Sequence, residues 1–123
     1  MPKHPPLTFD TVRQIAGSFP GVEEGTAYGT PAFRVGKHFL ARLREDGESL
    51  AVKCGFEERD SRLQANPKSF FTTDHYRGYP TVLVRLATVS PDDLRDLFEE
   101  AWRRLATKRM LAEQASRGRD GPA

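Results

Sequence analysis

The side chains with the most chemistry to offer are basic. Arg34, Arg42, Arg44, Lys53 and Arg85 lie in short runs of alternating character, Lys37 sits between two such runs, and Arg77 lies in the segment His75 to Pro80, HYRGYP. Guanidinium groups pair bidentately with phosphate oxygens, and a two-stranded ribbon fits the major groove of DNA, so these cations on one surface could hold a nucleic-acid backbone. The plainer reading is that their aliphatic stems cover a sheet face while their heads pair with Glu45, Asp46 or Glu48. Asn and Gln are nearly missing from the same surface. Any DNA contact would therefore rest on phosphates and weaken steeply with salt.

A second group is aromatic. Tyr28, His75, Tyr76 and Tyr79 could surround a small anionic ligand or stack on bases, or the tyrosines could simply anchor a loop on the core with their hydroxyls satisfied. A small-molecule or protein-interaction module built on these residues is the alternative to DNA binding. Catalytic machinery is not expected. Cys54 alternates in phase with Leu50 and Val52 and reads as a buried small hydrophobe; His4, His38 and His75 lack metal-ligand spacing. No HExxH, CxxC, phosphate-cradling glycine loop or Gly-x-Ser-x-Gly occurs. Neither a cofactor nor a metal is implied.

Composition bounds these readings. A chain of 123 residues makes one domain, and 37% hydrophobic with 29% charged residues describes a globular protein with a charged surface. Lys and Arg total 19 against 17 Asp and Glu, a formal charge of +2, so a polyanion partner requires the cations to be segregated on one face. The single cysteine excludes an internal disulfide and fits a reducing compartment. No secretory signal or membrane-spanning run is evident, so a cytoplasmic location without membrane contact is expected.

The elements that must position these residues can be read in order. Residues 1–7 and 116–123 read as tails around a domain spanning 8–115. Thr8 can cap a helix carrying Phe9, Val12, Ile15, Ala16 and Phe19, which Pro20-Gly21 stops. A connector from Gly25 to Pro31 leads to strands Ala32–Val35, Phe39–Arg44 and Ser49–Cys54. Asp46-Gly47 predicts a two-residue type I′ turn that pairs Leu43 with Leu50. For the first hairpin, a two-residue Gly36-Lys37 turn would set Arg34 opposite Phe39 on the core face. A three-residue loop pairing Val35 with Phe39 and Phe33 with Ala41 avoids that and is preferred. A short helix within 55–67, a brief strand near Phe70 and a strand Thr81–Leu86 follow. Ser90-Pro91-Asp92-Asp93 then opens a helix running to about Ala115, with Leu94, Leu97, Phe98, Ala101 and Trp102 on its apolar stripe.

This order predicts an α+β two-layer sandwich, an antiparallel sheet covered on one face by the N- and C-terminal helices, with its other face open and basic. FPGVEEGTAYGTPAFRVGKHFLARL, the return through LAVKC, HYRGYPTVLVRL and the closing SPDDLRDLFEEAWRRLA resemble the MmcQ/YjbR family of small bacterial proteins over residues 8–110. The resemblance implies a frataxin/CyaY-like fold and a DNA-binding role in which paired hairpins act as wings. A frataxin-type iron site is not expected, because the first helix holds only Asp10 and also carries Arg13.

Overall fold

The computed structural model describes residues 6–120. Thr8 Oγ1 accepts from the Thr11 amide and opens α1 (Phe9–Gly17). There follow β1 (Val22–Ala27), β2 (Thr30–Val35), β3 (His38–Leu43), β4 (Ser49–Lys53), α2 (Phe56–Ala65), β5 (Phe70–Phe71), β6 (Thr81–Arg85), α3 (Pro91–Leu105) and α4 (Lys108–Asp120). The strands form one six-stranded antiparallel sheet in the order β1-β2-β3-β4-β6-β5. The fold is the expected α+β sandwich. Among the described residues, no helix is long and apolar enough to cross a membrane.

One sheet face carries Phe33, Val35, Ala41, Leu50, Val52, Val82 and Val84, and onto it pack Val12, Ile15 and Ala16 of α1 and the α3 stripe from Leu94 to Trp102. The α3 start is as predicted, with Pro91 at the first turn and Ser90 Oγ accepting from the Asp93 amide at 3.0 Å. Its end is not. Ala106 turns extended, and Thr107 caps a new helix by accepting at Oγ1 from Met110 N. A separate last helix follows and packs Met110 against Gly21, whose φ of +77° favours glycine. α4 continues through Asp120 rather than giving way to a tail at 116. Leu7 is tied to the end of the sheet through its amide and Leu86 O at 2.9 Å. Residues 1–5 and 121–123, including His4 and most of the expected tails, lie outside the described residues.

Three local readings change. β1 occupies part of the stretch assigned to a connector; Glu23, Glu24, Gly25 and Thr26 are exposed, as suits an edge strand whose charges discourage further pairing. The Leu43–Leu50 pairing holds, but the connection is four residues, 45–48, rather than a type I′ turn. Only Gly47 has positive φ, and Asp46 is occupied accepting from the Glu48 and Ser49 amides at 2.8 and 3.0 Å.

The first hairpin does use a tight Gly36-Lys37 turn, with Val35 opposite His38 and Arg34 opposite Phe39. The conflict this raised for Arg34 is removed by a bulge. Phe33 pairs with Ala41 while Arg34 pairs with Phe39, so Leu40 is the extra residue of β3. Leu40 enters the core, fully buried, and Phe39 leaves it to sit beneath the Arg34 guanidinium, 6.0 Å from ring centroid to Cζ.

Candidate nucleic-acid interface

The second sheet face is not simply open. In the register Arg42–Ala51–Leu83–Phe71, Ala51 is 2% exposed and Leu83 0%, because guanidinium and aromatic groups roof them. Arg42, 8% exposed, donates from Nη2 to the Tyr76 hydroxyl at 3.0 Å and from Nη1 to Glu45 Oε1 at 2.8 Å. Burial works against the Arg42 charge; the bonds to Tyr76 and Glu45 outweigh it and hold the pKa above the ordinary arginine value. Arg44 bonds Ser49 Oγ, lies 3.7 Å from Asp46, and is flanked by the rings of Tyr76 and Phe71 at 5.8 and 5.9 Å. Arg85 stacks on Phe71 at 4.1 Å and donates to the Pro67 and Lys68 carbonyls.

The basic set thus divides. Arg42 and Arg44, expected on an open surface, are withdrawn into the roof, because a sheet face carrying Leu83 and Ala51 needs cover and planar guanidinium groups stack well on aromatic rings. Arg34, Lys37, Lys53 and Arg85 keep solvent access and have no carboxylate at ion-pair distance among the described residues. Glu23 stands opposite Arg34 across β1 and β2 without pairing. Arg77 is 72% exposed but bridges to Asp74 at 3.0 Å.

The four aromatic candidates are brought together, through a residue not grouped with them by sequence. Arg42 Cζ lies 5.1 Å from the Tyr28 ring and the same guanidinium bonds Tyr76; His75 meets Tyr76 at 4.9 Å and Tyr79 at 5.9 Å. They make a strip rather than a pocket. One groove of about 450 Å³ lies around Glu58, Arg62 and Glu100, and another of about 400 Å³, lined by Lys53, Cys54, Pro80 and Arg104, adjoins the Tyr79 end of the strip. Tyr76 is the loop anchor with a satisfied hydroxyl, whereas Tyr79 is 55% exposed.

Arg59 was not singled out by sequence, yet it fixes the loop. Buried and stacked on Phe56, it donates from Nη1 to the carbonyls of Arg77 and Tyr79 at 2.8 and 3.2 Å. Its surroundings, Glu57-Glu58-Arg59-Asp60, read as a solvated helix face, and no sequence signal marks it.

Tyr28 and Gly29 form the β1–β2 turn with φ of 55° and 79°. Positive φ at both central positions suits Asn-Gly, and a tyrosine there is strained by on the order of 1 kcal/mol. Tyr28→Asn is expected to raise stability by about 0.5–1 kcal/mol in urea denaturation, and a loss of stability would mean that the Arg42 stack outweighs the strain.

Cys54 is a buried free thiol. Burial first, and the Glu100 charge second, push its thiol up to about 11. Among the described residues, no three His, Cys, Asp or Glu side chains assemble as a metal site.

Fold and surface together define a class: a small α+β domain with one sheet face under helices and the other under an arginine–aromatic layer. The chain belongs to the YjbR family, whose family model matches residues 17–104. It is 31% identical over 122 residues to the uncharacterized proteins Mb2600 of Mycobacterium bovis and Rv2570 of Mycobacterium tuberculosis, covering 85% of this chain and 92% of each relative. The crystal structure of Deinococcus radiodurans DR2400, a DUF419-domain protein, superposes with a TM-score of 0.68 at 24% identity over 90% of both chains. That likeness supports the fold.

Proposed function

We propose that this protein is a non-catalytic binder of nucleic-acid phosphates that works through the end of the sheet bearing the Gly36-Lys37 turn, with Arg34, Lys37 and Lys53 as the contacting cations; Arg85, opposite Ser49, lies at the other end. The observation that carries the reading is the division of the basic set: these four lack carboxylate partners among the described residues, while Arg42 and Arg44 are committed to the fold. A cation without a fixed partner is available to an anion without first breaking an ion pair. The acidic 45–48 connection lies with Arg44 and Ser49, and the turn bearing Lys37 is the better wing.

Fluorescence anisotropy with a labelled DNA duplex tests this. Three phosphate contacts give a log–log salt slope near −2.7, so affinity is expected to fall about 40-fold between roughly 50 and 200 mM salt. Lys37→Glu with Lys53→Glu, both exposed positions, should weaken binding at least tenfold and flatten the slope by about 2. No binding to nucleic acid of either form at 50 mM salt would remove the reading.

A further inference from the structure

We infer that this face prefers single-stranded over duplex nucleic acid, with unpaired bases stacking on Tyr28 and Tyr79; the inference rests on the phosphate-binding reading above. The strip Tyr28–Arg42–Tyr76–His75–Tyr79 is continuous, each neighbour within 5.9 Å or hydrogen-bonded, and it ends in a tyrosine on either side. The interior members are held, since Tyr76 takes the Arg42 bond and Arg42 is tied to Glu45. The terminal tyrosines are 85% and 55% exposed, and neither hydroxyl has a hydrogen-bond partner among the described residues.

Tyr28 adds a second, independent observation. A bulky side chain is kept at a positive φ where glycine or asparagine fits without strain, and its exposure shows that it adds nothing to the core. What it does present is a ring with Arg42 beneath it and solvent beyond. Such a ring can receive a base only if the base face is free, which duplex stacking prevents. The amide side chains that would read adenine edges in a duplex, Gln14, Gln64, Asn66 and Gln114, lie on helices or a helix cap, away from this sheet face. Lys53 immediately precedes Cys54, whose amide bonds Pro80 O, so a cation sits beside the Tyr79 end to take the phosphates.

The experiment compares a labelled single strand of about 12 nucleotides with the duplex of the same sequence, at one salt concentration near 50 mM. The single strand is expected to bind about a hundredfold more tightly, with quenching of tyrosine fluorescence. Tyr28→Asn and Tyr79→Ala should each cost the single strand roughly tenfold and together bring the two affinities within about twofold. Tyr28→Asn keeps the turn chemistry, so its circular dichroism and melting verify that a loss of binding is not a loss of fold. Equal binding of both forms, or a preference unmoved by the two substitutions, overturns this inference and leaves phosphate binding standing. Failure of both forms to bind overturns the phosphate reading itself.

Discussion

Replacing Arg42 with glutamate is expected to destabilise the protein by about 3–5 kcal/mol, a large share of a whole stability of the order of 5–15 kcal/mol. Arg42 is 8% exposed, and its guanidinium serves Glu45, the Tyr76 hydroxyl and the face of Tyr28, with longer bonds to Thr30 Oγ1 and Leu43 O. A carboxylate there would be buried beside Glu45 without a compensating cation, and it would break the bond by which Arg42 holds Tyr76. Arg42→Lys should recover only part of the loss, because a single ammonium cannot reach Glu45 and Tyr76 in the same fork geometry. Lys53→Glu is the contrasting case: at an exposed position, its stability should stay within about 0.5 kcal/mol. Urea titrations followed by far-ultraviolet circular dichroism separate these variants. An Arg42→Glu protein as stable as the parent would return this residue to the set available for phosphates. Charge reversal at Arg42 is otherwise a poor probe of binding, since it would abolish binding by unfolding the surface.

Trp102→Ala should cost about 3–5 kcal/mol. The indole is fully buried on α3, packs at a tilt of 32° with its centroid 5.4 Å from that of Phe19, and donates from Nε1 to Pro20 O at 2.8 Å across 82 residues of sequence. It closes the end of α1 against α3 at the Phe-Pro-Gly that terminates the first helix. Trp102→Phe keeps most of the apolar volume but leaves the Pro20 carbonyl without its donor, so a loss of about 1–3 kcal/mol is expected. Because Trp102 is the single tryptophan, these unfolding curves must be read by circular dichroism. Equal losses for the two variants would mean that the hydrogen bond, and not the packing, carries the contribution.

The helix layer was legible because its signals are local. Ser90-Pro91-Asp92-Asp93 can do little but open a helix, and the spacing of Leu94, Leu97, Phe98, Ala101 and Trp102 declares the buried stripe. Thr107 carried the same kind of signal, and the uninterrupted run of good helix formers around it concealed the break. β1 was hidden because an edge strand of Glu-Glu-Gly-Thr has no apolar alternation to detect.

The site was half legible. Alternation correctly put Arg34, Arg42, Arg44, Lys53 and Arg85 on the face away from the helices. It could not tell which would be consumed by the fold, because that depends on Tyr76 and Phe71 reaching them from a distant segment. Arg59 shows the same limit. Its partners are backbone carbonyls 18 and 20 residues away, and backbone carbonyls leave no trace in a sequence.

The bulge at Leu40 gives the 36–40 segment a meaning in terms of insertions and deletions. Removing one of residues 36–38 would not merely shorten a hairpin; it would restore strict alternation along β3 and return Phe39 to the core in place of Leu40, stripping the aromatic support from Arg34. The length of this segment is therefore as much a part of the surface's chemistry as the identity of its cations. In an alignment of related chains, a gap at this position would mark a different surface on the same fold.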